Sequence, residues 1–238
     1  MKLDILAFSV HPDDAEISAG GTLLKYSSEG KAVGIIDLTE GELGTRGTVQ
    51  SRYEEAEESA KLLGLKIREN LRMKDGFFEP SEENKRLIIQ QIRRFQPQIV
   101  LANSIIDRHP DHGRAAKLVA DACYLSGLRK IETFWDGAEQ NSFRPRLVLH
   151  YIQDYFITPN FVIDVTPFAE KKIEVIKAYK TQFFDPNSSE PETPISGEEF
   201  FDFVKGRMLT FGRPAGMKYA EGFTIDRLFG VKDMFDII

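Results

Sequence analysis

"KLDILAFSVHPDDAEISAGGTLLKYSSEG" (residues 2–30) opens the chain with a strand-like run, a polar cluster and a helix-like segment, in that order. The run 2–10 is short and apolar, as expected of a parallel strand buried on both faces. His11-Pro12-Asp13-Asp14 follows at once, and 18–30 reads as a helix closed by Gly30. The same alternation continues outward. Residues 31–41 read as a second strand, and 48–65 as a helix with Ala56, Ala60 and Leu63 at helical spacing. A short strand near 67–73 precedes a helix over 81–95, with Ser81 placed to cap it. Pro97 ends that helix, and 98–104 reads as a fourth strand.

This order predicts an α/β fold: a mostly parallel sheet with helices on both faces. Beyond residue 130 the pattern changes. "RPRLVLHYIQDYF" and "PNFVIDVT" read as further strands, and "PFAEKKIEVIKAYKTQF" as a helix with proline in its first turn. Residues 185–199, rich in Pro, Ser and Glu, are a loop that acts either as a flap or as a connector. The apolar C-terminal "LFGVKDMFDII" serves either a subunit contact or core packing.

Composition narrows the class. The chain has 238 residues, enough for one sizeable domain spanning 1–238, and is 42% hydrophobic and 29% charged, as in ordinary globular proteins. A formal net charge of -6 with interspersed signs argues against a nucleic-acid partner. The lone Cys123 excludes an internal disulfide and reads as a buried apolar side chain. Asp4 interrupts the N-terminal apolar run, and no later window reaches the roughly 18 apolar residues of a membrane span, so a cytoplasmic, non-membrane protein is expected.

In parallel sheets, ligands bind beyond the carboxyl ends of the strands, where the crossover direction reverses. Both histidine–aspartate clusters stand there: "HPDD" (11–14) after the first strand and "HPDH" (109–112) after the fourth. His11 and Asp14 are three residues apart, so one turn of backbone can bring both to one ion. The bland alternative for Asp13 and Asp14 is a helix cap. His112 adds a third ligand, giving an open His-Asp-His set that suits catalytic zinc, with iron(II) or another divalent ion also compatible. Asp13 is then free to act as general base. His109 faces the site from the other side, to stabilise an oxyanion or protonate a leaving group, with Asp111 orienting an imidazole. His150 lies within a strand-like run and reads as structural.

These motifs resemble the LmbE-like, or PIG-L, zinc-dependent N-deacetylases of N-acetylglucosamine conjugates. The resemblance extends to "GELGTRGT" (41–48) with Arg52 and Glu55, to "AYKTQF" (178–183) and to "YAEGF" (219–223), blocks most similar to the bacillithiol-biosynthesis deacetylases of N-acetylglucosaminyl malate. It implies a Rossmann-like domain, His11, Asp14 and His112 as zinc ligands, Asp13 as base, His109 acting on the tetrahedral intermediate, and a homo-oligomer. Val10 replaces an alanine common in the family, which alters packing but not chemistry. A carboxylate-bearing substrate points to Arg52 and then Arg46 as its partners, with Tyr219 and Glu221 shaping the pocket. Two alternatives stand beside this reading. One is the same chemistry on another N-acyl sugar or thiol conjugate. The other is a metal- or nucleotide-binding module without turnover, against which stand the free Asp13 and the absence of G-x-G-x-x-G spacing in "SAGGT".

Overall fold

The computed structural model describes residues 1–183, 185, 188–228 and 230–237. Its alternating elements follow the apolar runs. Strand β1 (Ile5–Ser9) leads into helix α1 (Asp14–Ser28), then β2 (Val33–Thr39), α2 (Val49–Leu63), β3 (Ile67–Met73), α3 (Glu82–Phe95), β4 (Ile99–Ala102) and α4 (Pro110–Leu125). A small antiparallel pair, β5 (Phe134–Trp135) and β6 (Ala138–Glu139), precedes β7 (Leu147–Tyr151) and β8 (Phe161–Asp164). A 3₁₀ turn at Thr166–Phe168 introduces α5 (Ala169–Ile176). Helix α6 (Phe200–Gly212) and β9 (Ala220–Thr224) complete the framework.

The main sheet has seven strands in the order β3-β2-β1-β4-β7-β9-β8. All neighbours are parallel except β9, which runs antiparallel to both β7 and β8. Because strand side chains alternate, Leu6 and Phe8 face one layer while Ile5 and Ala7 face the other. The first layer packs Ile88 and Ile92 of α3 with Leu118 and Val119 of α4. The second packs Ala15, Ala19 and Leu23 of α1. Burial on both faces explains why β1 reads as an unbroken apolar run.

Local chemistry sets the helix ends. Thr48 and Ser51 form a reciprocal capping box on α2, and Gly64 ends it in the left-handed conformation. The Ser81 hydroxyl accepts from the Asn84 N–H at the start of α3, as its position in the sequence predicts. Helix α1 begins at Asp14, four residues ahead of the expected start, and is packed so closely that only glycine fits in its middle. A Cβ on Gly21 would come within 2.8 Å of Val165.

Cys123 is buried in the first core layer, as expected. Among the described residues, no helix is long and apolar enough to cross a membrane. In the C-terminal segment, Leu228, Met234 and Phe235 are exposed rather than packed into the core, while Phe229 and Ile238 lie outside the described residues.

Candidate metal centre and active site

β1 is flanked by β2 on one side and β4 on the other, so the chain reverses its crossover direction beside it. The loops leaving β1 and β4 therefore meet. The ring centroids of His11, His109 and His112 lie 4.8–5.6 Å apart, although the two clusters are about a hundred residues apart in sequence.

Two of these imidazoles face one carboxylate. His11 Nδ1 lies 3.5 Å and His112 Nε2 3.2 Å from Asp14. Each ring's other nitrogen is held by a second carboxylate: His11 Nε2 by Asp75 at 3.0 Å, and His112 Nδ1 by Asp107 at 2.5 Å. A carboxylate on the far nitrogen fixes the tautomer of a metal-binding histidine and raises its basicity. Asp14 is held in turn by Asn103 and Gln153, whose side-chain amides each donate to it at 3.0 Å. The donor set suits a divalent ion of zinc or iron(II) type: two imidazoles and one carboxylate, with room for further ligands. One nitrogen each from His11, His109 and His112 also lie within 4.8 Å of one another, so His109 borders the same position.

Electrostatics agree with this arrangement. Burial lowers the His11 imidazole, but Asp14 and Asp75 outweigh it and push its pKa up to about 10. Burial likewise opposes His112, yet Asp14 and Asp107 raise it to about 9. Asp14 is held well below the usual carboxylate range despite burial, because His112 and His11 face it. His109 is lowered, by burial first and then by its two histidine neighbours. The protons on His11 and His112 are thus held by the facing carboxylates of Asp14, Asp75 and Asp107, and a divalent cation bound there would displace them.

Asp13 behaves differently. Its φ of 128° lies far from any helical value, and its carboxylate makes no capping hydrogen bond to α1, which sets aside the cap alternative for this residue. It is buried, and desolvation pushes its pKa up to about 7, partly offset by Arg52. It opens onto a cavity of about 300 Å³ together with His11, Asp14, His109 and His112.

Arg52 also lines this cavity, with its guanidinium contacting Gln182. The glycines of "GELG" wrap it: a Cβ on Gly41 would stand 2.6 Å from Nη1. Three sequence expectations take a different place. Arg46 is buried away from the cavity lining, directed at the Phe183 carbonyl, the Ser188 hydroxyl and Glu190, so it fastens the following loop instead. Tyr219 does not line the cavity, because its ring packs with the α5–α6 cluster at the entry to β9. The Asp111 carboxylate accepts from the Gly76 N–H at 2.8 Å and Arg114 at 2.7 Å, so Asp75 and Asp107 hold the imidazoles in its stead. His150 is buried and bonds the Asn103 carbonyl, outside the histidine cluster.

The residues that sequence reasoning missed are Asp75, Asp107, Asn103 and Gln153. Each stands at or just beyond the carboxyl end of a sheet strand, the one signal that could have found them. The 185–199 loop contributes Thr193, Pro194 and Ile195 to the cavity wall, while its Pro186 and Asn187 lie outside the described residues.

Comparison with known proteins gives a consistent picture. The PIG-L family, described as GlcNAc-PI de-N-acetylase, matches residues 6–123. A diacetylchitobiose deacetylase of Thermococcus kodakarensis is 29% identical over 232 residues, spanning 92% of this chain and 81% of its own. A probable N-acetyl-alpha-D-glucosaminyl L-malate deacetylase 2 of Bacillus anthracis is 25% identical, with 75% of this chain and 81% of its own covered. The crystal structure of the conserved protein TT1542 from Thermus thermophilus superposes with a TM-score of 0.84 at 32% identity, covering 97% of this chain and 98% of that one. With both histidine–aspartate motifs at adjoining strand ends and this breadth of similarity, the chain belongs to the PIG-L, or LmbE-like, family of hydrolytic N-deacetylases.

Proposed function

We propose that residues 1–238 act as one catalytic unit that hydrolyses the N-acetyl group of an N-acetylglucosamine conjugate, with N-acetylglucosaminyl malate as the substrate. The observation that carries this reading is the convergence of His11 Nδ1, His112 Nε2 and Asp14 beside a buried Asp13 that makes no capping hydrogen bond to α1. His11, Asp14 and His112 would hold the metal. A divalent ion there supplies Lewis acidity toward the acetyl carbonyl and lowers the pKa of water toward about 7.

The chain's own residues do the rest. Asp13, whose carboxyl titrates near neutrality, takes a proton from the attacking water. His109 Nδ1 accepts from the Asp111 N–H at 3.3 Å, which puts the ring proton on Nε2, free to donate to the oxyanion. Asp13 then returns its proton to the amide nitrogen, the C–N bond breaks, and acetate and the free amine leave. The buried Arg52 faces the cavity with donors suited to a malate carboxylate.

Acetate release from N-acetylglucosaminyl malate, N,N'-diacetylchitobiose and free N-acetylglucosamine tests this, using zinc-loaded protein with Asp13→Ala alongside. Turnover of the malate conjugate, lost in Asp13→Ala, is expected. Preference for diacetylchitobiose would support the second reading, which the broader similarity to the Thermococcus enzyme favours. A metal-loaded protein that releases acetate from none of them would sink both.

A further inference from the structure

The cavity reaches well past the metal position on one side. Beyond it, Arg108, Asp154, Phe203 and Arg207 share one wall. Arg108 Nε forms an ion pair with Asp154 Oδ2 at 2.9 Å, and Arg207 donates to the Asp154 carbonyl at 2.8 Å while lying 4.4 Å from the centre of the Phe203 ring. These bonds leave functions unused among the described residues: the Arg108 terminal nitrogens and Asp154 Oδ1. Phe203 remains 43% exposed beside them. A carboxylate acceptor, guanidinium donors and an aromatic face together match a pyranose. Its adjacent hydroxyls both donate and accept, and its C–H face packs on an aromatic ring.

Topology says which part of the sugar arrives there. Arg52 begins from the β2 side of β1, while Arg108 and Asp154 follow β4 and β7 on the opposite side. The acetamido group of N-acetylglucosamine sits on C2, whose ring neighbours are C1, bearing the aglycone, and C3, bearing a hydroxyl. With the acetamido group at the metal position and the aglycone directed to Arg52, C3 and C4 must point toward β4 and β7. Resting on the deacetylase reading above, we propose that Arg108, Asp154 and Arg207, with Phe203, form a subsite that reads the C3 and C4 hydroxyls and selects the gluco over the galacto configuration.

The test separates binding from turnover. Zinc-loaded wild type, Asp154→Asn and Arg108→Lys are titrated with the methyl glycosides of N-acetylglucosamine and of its C4 epimer, N-acetylgalactosamine. Acetate release from both glycosides is measured in parallel, and circular dichroism verifies the fold of each variant. Wild type is expected to favour the gluco epimer by about tenfold or more, since a site built to bond a hydroxyl penalises its misplacement. Asp154→Asn should bring the ratio of the two affinities close to one while leaving zinc affinity unchanged. Equal affinity for the two epimers in wild type, or a preference undiminished in both variants, would overturn the subsite. If neither glycoside releases acetate yet the gluco preference in binding is present and disappears in Asp154→Asn, the subsite stands and the deacetylase reading fails alone. Acetate release at equal rates with equal affinities has the opposite meaning.

Discussion

At the scale of single residues, Asp13 is the informative one. Among the described residues four non-glycines have positive φ, and three of them, Arg72, Gln96 and Asp136, fall at 46–54°, within the ordinary left-handed region. Asp13 at 128° does not, and a backbone so placed stores about 1–3 kcal/mol. That strain turns the carboxylate out of the capping position and into the cavity. Asp13→Gly is therefore expected to gain about 1 kcal/mol of stability, by relieving the backbone and removing a buried carboxylate beside Asp14. The same change should reduce turnover by about a hundredfold or more. Denaturant unfolding and acetate release on the same preparation examine both halves. A variant that is destabilised, or one that keeps wild-type turnover, would refute the assignment. The spacing of "HPDD" and "HPDH" made His11, Asp14, His109 and His112 legible. It could not supply Asp75 or Asp107, because a carboxylate that orients an imidazole need only be near in space.

At the scale of elements, the sequence read well where chemistry is local and poorly where it is not. Capping at Thr48 and Ser81 depends on residues three apart, so α2 and α3 begin close to where expected. Strand β9 was not foreseen, since insertion between β7 and β8 is a long-range pairing without local signature. Its consequence is an ion pair deep in the second layer. Glu221 of β9 accepts from the N–H groups of Gly21 and Thr22 in α1 at 2.8 and 2.7 Å and pairs with Lys172 of α5 at 2.7 Å, both side chains being 2% exposed. This latch explains the paired glycines of "SAGGT": a Cβ at Gly20 would press on Lys172, and one at Gly21 would lie 3.1 Å from Glu221. Lys172→Met strands a buried carboxylate and should destabilise by about 3 kcal/mol or more, whereas Lys172→Met with Glu221→Gln should be milder. Urea unfolding of both variants decides it. A single variant within about 1 kcal/mol of wild type would show that the pair is dispensable.

At the scale of the whole molecule, the candidate metal site links stability to pH. His11 and His112 titrate in the folded, metal-free chain at about 10 and about 9, above the ordinary value near 6.5. Their stabilisation is thus complete below about pH 6.5 and is lost as the pH rises through 9 and 10. Asp13, raised to about 7, works in the same direction, because ionising it disfavours the fold between its ordinary value and neutrality. Thermal melts in chelator should therefore show the midpoint falling from about pH 6.5 toward 10. Saturating zinc should flatten that fall, since the bound form uses the deprotonated rings. A chelated protein whose midpoint stays constant across that window would contradict the charge arrangement described here. By itself the sequence determined the α/β alternation, the parallel sheet and the two strand-end motifs. Periodicity, caps and motif spacing are properties of neighbours along the chain. Only the tertiary structure decided that Asp75 and Asp107 orient the imidazoles, that Asn103 and Gln153 clamp Asp14, and that Arg46 and Tyr219 lie off the cavity. The Gln153–Asp14 contact alone joins residues 139 positions apart, brought together by the reversal of crossover beside β1 and by the packing it imposes.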